Sequence, residues 1–78
     1  MTTQERLLNI ANRKLDKPQP LSPPDLTKPL KDAGIDSLDF LLVLVAVQEE
    51  FSVNIPDNLV PEFSSLADLA AFLEKNNA

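Results

Sequence analysis

Five of the seven prolines fall between Lys17 and Gly34, and they divide the chain into segments of different kinds. Proline lacks an amide hydrogen and clashes with the preceding helical turn, so this stretch cannot form a continuous helix or a central strand. It predicts a long loop of 18 residues, which is uncommon within a compact domain. Leu21, Leu26 and Leu30 recur along the loop, and we expect them to hold it against a core.

The segments on either side of this loop have the pattern of helices. Thr2 and Glu5 have capping-box spacing, and the apolar residues after them share one face of a predicted first helix that ends near Asp16. Asp36 is a suitable N-cap for a second helix over Ser37–Phe51, which contains neither proline nor glycine. The long loop therefore connects helices 1 and 2.

A last helix and a short helical turn complete the predicted fold. Ser65 and Asp68 repeat the capping spacing before an apolar face that ends near Lys75, and residues 57–63 can form one short turn. No useful stretch alternates with a period of two, as a half-buried strand would. We predict an all-α protein, a small three-to-four-helix bundle, with residues 1–78 forming one domain around one core.

Composition excludes several classes of function. The chain has no Cys, His or Tyr, so it lacks disulfides, the usual zinc and iron ligands, and most groups for acid–base work near neutral pH. We expect neither a metal site nor an enzyme. Residues 1–35 carry a net charge of +2 and residues 36–78 a net charge of −7, which disfavours nucleic acid as a partner of the second half.

The chain also lacks the patterns of targeting and membrane insertion. Its first residues do not have the basic-then-apolar order of a secretory signal, and the longest apolar run, residues 40–47, is too short to span a bilayer. We expect a cytoplasmic monomer that does not enter the membrane. Met1 and the polar C-terminal end favour a free-standing protein.

The predicted second helix is apolar on two opposite sides at about 100° per residue. The expected core side consists of Phe40, Val43, Leu44, Val47 and Phe51. The opposite side, called the apolar strip below, consists of Leu38, Leu41, Leu42 and Val45. Because so small a bundle has one core, we expect the strip, together with Glu49, to be exposed and to bind a partner. The alternative is that the proline-rich loop covers it.

Ser37 lies at the predicted start of this helix. Without histidine, it has no imidazole to act as its general base, so it is better suited to modification than to nucleophilic attack. Helix N-termini favour an attached phosphate by about 0.3–1 kcal/mol, although Asp36 and Asp39 oppose it with like charge. From these residues alone, an ordinary helix-start serine remains an equal alternative.

A family resemblance favours modification. The chain resembles acyl carrier proteins, at their prosthetic-group attachment site, in the segment Gly34-Ile35-Asp36-Ser37-Leu38-Asp39. Later segments resemble the family in the same order: Glu49-Glu50-Phe51, Ile55-Pro56-Asp57 and Ser65-Leu66-Ala67-Asp68-Leu69. The resemblance implies an acyl-carrier-protein type bundle, and it implies that Ser37 carries 4'-phosphopantetheine.

The resemblance also implies that the protein carries acyl groups between other enzymes. A phosphopantetheinyl transferase would modify Ser37, with Asp36, Leu38 and Asp39 presenting it. The arm would then hold acyl groups as thioesters for acyl-transferring or acyl-modifying enzymes of fatty acid, lipid or polyketide biosynthesis. The expected acyl pocket consists of Val47, Phe51, Ile55, Leu69 and Phe72.

Two features depart from typical fatty-acid carriers. Leu42 stands where an acidic residue is common, and Gln48 begins the usual acidic cluster without a charge. We therefore expect a specialised carrier whose partners have a more apolar docking surface. Two alternatives remain: a peptidyl or aminoacyl carrier with the same serine chemistry, and a non-enzymatic helical adaptor that binds an amphipathic helix through the apolar strip.

Overall fold

The computed structural model describes residues 2–76 as three α-helices and two short 3-10 helices. The α-helices are α1 (Thr3–Leu15), α2 (Ser37–Phe51) and α3 (Leu66–Asn76), and the 3-10 helices are Pro23–Leu26 and Asp57–Glu62. No strand occurs within residues 2–76. The prediction of an all-α bundle with a long connection between its first two helices is confirmed.

Helix α1 begins and ends where the sequence predicts. The Thr2 hydroxyl accepts a hydrogen bond from the Glu5 amide at 3.1 Å, and the Glu5 carboxylate accepts one from the Thr2 amide at 3.2 Å. The bond from the Thr2 amide to the carboxylate is the main reason that the pKa of Glu5 is lowered. The helix is closed by Asp16, whose φ of 46° lies in the left-handed region.

The core lies where α1 packs against both α2 and α3. Each helix contributes fully buried side chains, the largest being Leu7, Ile10, Val43, Val47, Leu66, Leu69 and Leu73. All five residues of the predicted core side of α2 are buried. No helix within the described part of the chain combines the length and apolar character needed to cross a bilayer.

The proline-rich loop is pinned to α1 by Asn12. The side-chain amide of Asn12 donates to the Leu21 carbonyl at 3.1 Å, and the side-chain oxygen of Asn12 accepts from the Leu21 amide at 2.7 Å. Leu21 and Leu26 are buried, Leu30 is half-buried, and the 3-10 helix between them contacts α1 and α3. The expectation that leucines hold the loop over a core is confirmed.

The segment before α3 closes the bundle with an aromatic contact. The predicted short turn is a 3-10 helix, and Phe63 follows it with its ring centroid 6.2 Å from that of Phe40 and 5.8 Å from that of Phe72. At the start of α3, the Asp68 amide donates to the Ser65 hydroxyl at 3.3 Å, as predicted. The Asp68 carboxylate, however, accepts bonds from Ser64, one residue earlier than a capping box requires.

Candidate functional site

Ser37 is the first residue of α2 and is exposed. A hydrogen-bonded turn leads into it, in which the Gly34 amide donates to the Lys31 carbonyl at 3.1 Å and the Ile35 amide donates to the Leu30 carbonyl at 2.9 Å. Gly34 has a φ of 80°, a conformation that glycine adopts at little cost. Because Ile35 is buried, the turn is anchored to the core, and the serine two residues later is presented at the surface.

The two carboxylates that flank Ser37 have different environments. Asp36 caps α2 by accepting a hydrogen bond from the Asp39 amide at 2.8 Å. The Asp39 carboxylate accepts from the ammonium group of Lys17 at 2.8 Å and from the Asp36 amide at 3.4 Å. The Lys17 bond is the main reason that the pKa of Asp39 is lowered, and the same bond raises the pKa of Lys17. One of the two opposing charges is therefore neutralised within the chain, by a residue that the sequence analysis did not connect with the site.

The first turn of α2 leaves donors available beside the serine. The four amides at this helix start that lack a regular intrahelical acceptor are those of residues 36–39. The Asp36 amide donates to the Asp39 carboxylate, and the Asp39 amide donates to the Asp36 carboxylate. Among residues 2–76, no acceptor is bound to the amides of Ser37 and Leu38, which are left for another acceptor. An exposed hydroxyl next to two such donors fits a covalently attached phosphate. Within residues 2–76 no cluster of acidic side chains is arranged to hold a metal ion.

An apolar groove of about 420 Å³ runs alongside Ser37. Its walls come from the end of the loop, the start of α2 and the segment around the second 3-10 helix, and they consist of Leu30, Ile35, Asp36, Ser37, Phe40, Leu41, Val60, Pro61 and Phe63. Its size falls within the range of sites that bind small molecules. The groove can therefore shelter an apolar group attached to the serine.

The predicted acyl-pocket residues lie elsewhere. Val47, Phe51, Ile55 and Leu69 are buried in the core, while Phe72 is half-buried against Phe63. None of the five lines the groove beside Ser37. Their role as an acyl pocket, which requires the helices to part, stays a prediction.

The apolar strip on α2 is exposed, as predicted. The exposed fractions are 69% for Leu38, 50% for Leu41, 48% for Leu42 and 56% for Val45. The proline-rich loop therefore does not cover the strip, and Glu49 is also exposed. Binding of a partner by these residues stays a prediction.

Two basic residues of the first half of the chain pair with acids of α2. Besides the Lys17–Asp39 pair, the guanidinium of Arg13 lies 2.5 Å from the Glu50 carboxylate. The charge asymmetry read from the sequence is therefore partly balanced inside the fold. The strip itself contains no charged residue.

Comparison with known proteins identifies the class of this site. The family model described as "Phosphopantetheine attachment site" matches residues 5–73. The chain therefore belongs to this family of carriers, which bear a covalent 4'-phosphopantetheine group and are not enzymes.

Its relatives include named acyl carrier proteins, which confirms the resemblance. The chain is 33% identical over 75 residues to "Putative acyl carrier protein, mitochondrial" of Schizosaccharomyces pombe, covering 94% of this chain and 65% of that protein. It is 35% identical over 68 residues to "Acyl carrier protein, mitochondrial" of Saccharomyces cerevisiae, covering 87% and 48%. It is 39% identical over 49 residues to "Acyl carrier protein" of Campylobacter curvus, covering 63% and 64%. The chain thus spans between about half and two thirds of these relatives, and no solved structure matches it.

Proposed function

We propose that this chain is an acyl carrier that holds acyl intermediates as thioesters on a 4'-phosphopantetheine arm attached to Ser37. The observation that carries the proposal is the exposed serine at the start of α2, within a chain that the attachment-site family matches over residues 5–73. The arm supplies the thiol, which no residue of the chain provides. The polypeptide supplies the attachment point, the shelter and the docking surface.

The local geometry suits presentation of the serine to a phosphopantetheinyl transferase. Asp36 caps the helix, Asp39 is held by Lys17, and Leu38 is the most exposed residue of the apolar strip. A fixed helix start gives the transferase a rigid target, because the bonds between Asp36 and Asp39 hold the backbone that bears the serine. Asp36, Leu38 and Asp39 are accordingly our candidates for contact with the transferase.

The groove beside Ser37 gives an apolar cargo a first place to bind. Its apolar walls adjoin the attachment point, and because the acyl group is carried at the far end of the arm, the arm would fold back along the surface to place the cargo there. A longer acyl chain would then extend among the core residues predicted as its pocket. The acyl partners in this account are enzymes of fatty acid or lipid biosynthesis that transfer or modify the cargo.

The apolar strip is the proposed docking surface for those partner enzymes. Leu42 occupies the middle of α2, is about half exposed and has no charged neighbour within the strip, so a partner surface matched to it would be apolar. Leu42→Glu should slow transfer by the cognate enzymes and improve the chain as a substrate for general fatty-acid enzymes. Unchanged rates with both groups of enzymes would contradict a specialised docking surface.

The location in the cell is also a proposal. The sequence alone led us to expect the cytoplasm, whereas two of the relatives are named as mitochondrial. Those names favour mitochondria. Fractionation of cells that express the protein at its native level tests the two compartments, since a mitochondrial protein stays protected from added protease until the membranes are opened.

Intact mass tests attachment of the arm. Purified protein is incubated with coenzyme A and a promiscuous phosphopantetheinyl transferase, next to a Ser37→Ala variant. We expect a gain of about 340 Da, the formula mass of the added group, in the parent protein and none in the variant. No gain in folded parent protein would refute the proposal and leave the apolar strip as the site of a helical adaptor.

A further inference from the structure

A second hollow, of about 440 Å³, adjoins Ser37 and has a different character from the apolar groove. It is lined by Lys31, Gly34, Ile35, Asp36 and Ser37, and it shares the last three residues with the groove. The hollow therefore lies beside the groove and meets it at the attachment serine. Lys31 is the only basic residue in its lining.

Lys31 differs from the nearby lysines in having no acidic partner. Lys17 lies 2.8 Å from the Asp39 carboxylate, and Lys28 lies 3.0 Å from that of Asp25. For Lys31, the structure shows no ion pair and no side-chain hydrogen bond within residues 2–76; only its carbonyl is engaged, by the Gly34 amide. Among residues 2–76, its ammonium group therefore has no acidic partner.

The charges around Ser37 indicate that such a cation would stabilise an attached phosphate. Asp39 is neutralised by Lys17, which leaves Asp36 as the acid that an attached phosphodiester would meet. Lys31 lines the same hollow, so its ammonium group is within reach of a phosphate there, where it would offset that repulsion and add to the attraction of the helix start. Without Lys31, a phosphodiester on Ser37 would have one uncompensated carboxylate beside it and no basic residue in the lining of the hollow.

We propose that Lys31 binds the phosphodiester of the prosthetic group on Ser37 and so holds the first part of the arm in the hollow formed by Lys31, Gly34 and Asp36. This inference rests on the proposed function, because it needs the arm to be attached. It assigns to Lys31 a positioning role: the ammonium group fixes the point from which the arm leaves the protein. The apolar groove on the adjoining side is then left for the cargo.

Phosphorus NMR of the modified protein tests this assignment directly. Four modified proteins are compared: the parent, Lys31→Met, Lys31→Arg and Lys75→Met. Lys75 lies in the last turn of α3 and is exposed, so its variant makes the same change in net charge away from the hollow. For each, the phosphodiester resonance is followed from about 0.02 M to about 0.5 M sodium chloride, over which ionic contacts become screened.

We expect the parent resonance to shift with salt and, at low salt, to be broader than that of Lys31→Met, because a phosphodiester held by Lys31 tumbles with the protein. The Lys31→Met resonance should be nearly independent of salt. Lys31→Arg should restore the behaviour of the parent, and Lys75→Met should match it. In the parent, attachment of the arm should also shift the amide signal of Gly34.

The inference is overturned if Lys31→Met gives the parent's resonance and salt dependence, or if Lys75→Met changes them equally, since the effect would then be one of net charge. Failure of the proposed function is recognised separately. In that case the mass gain on Ser37 is missing and no phosphorus signal is present in any of the four proteins.

Discussion

Replacement of Asn12 by alanine should release the proline-rich loop from α1. The Asn12 side chain makes two hydrogen bonds to the backbone of Leu21, at 2.7 Å and 3.1 Å, in a partly buried setting. Leu21 is itself buried, so these bonds fix the first apolar anchor of the loop. In the alanine variant, the Leu21 amide and carbonyl must find water instead.

The magnitude follows from the two lost bonds. A hydrogen bond of this kind contributes about 0.5–1.5 kcal/mol net, so removing both costs about 1–3 kcal/mol. Alanine returns about 0.5 kcal/mol through its higher helix propensity. The expected loss in the free energy of unfolding is about 1.5 kcal/mol, which corresponds to a decrease in Tm of about 6–12 °C for a domain of this size.

The assay is urea unfolding followed by circular dichroism, combined with hydrogen exchange of the Leu21 amide. Lys14→Ala is the matched control, because Lys14 is exposed on the same helix and its replacement should change the stability by less than about 0.5 kcal/mol. Exchange at Leu21 should become faster in Asn12→Ala alone. Equal unfolding midpoints and equal exchange in the two variants would refute the reasoning that this side chain pins the loop.

Two further substitutions test the surroundings of Ser37. Lys17 lowers the pKa of Asp39, so the stability from this pair is present above about pH 4 and is lost as the pH falls through the lowered pKa. In Asp39→Asn, the free energy of unfolding measured with urea should therefore decrease less steeply at acid pH than in the parent. An equally steep decrease in both proteins would contradict the linkage. Gly34→Ala should cost about 1 kcal/mol in the free energy of unfolding because the φ of 80° strains any side chain, although no heavy atom lies within 4 Å of the added carbon; an unfolding midpoint equal to the parent's would show that the turn relaxes without cost.

The local features of the fold were predictable because their causes are local. Thr2 forms the capping box with Glu5 that the spacing predicts, and Asp36 is the predicted N-cap of α2, where it forms a capping box with Asp39. The apolar strip was predictable because α2 carries more apolar residues than one core can bury. The same helix start identified Ser37 as an exposed serine.

The contacts that complete the site join residues far apart in the chain. The Lys17–Asp39 pair spans 22 residues and the Arg13–Glu50 pair spans 37, and neither has a local pattern that distinguishes it from other surface charges. The apolar groove likewise needs Val60 and Phe63 to meet Phe40. Phe40 precedes the other two by 20 or more positions in the chain, and the three come together only in the fold, and so the sequence alone directed attention to core residues such as Val47 and Leu69 for the acyl pocket.

The central claim is that Ser37 carries an arm loaded with acyl groups, and the most direct test is the intact mass of the protein isolated from the cells that make it. The account predicts a mass above that of the polypeptide by the arm plus an acyl group. Treatment with neutral hydroxylamine, which cleaves thioesters, should reduce the gain to that of the arm alone, about 340 Da, with the remaining mass located on the peptide that contains Ser37. A bare polypeptide mass, or a modification on another residue, would contradict the account.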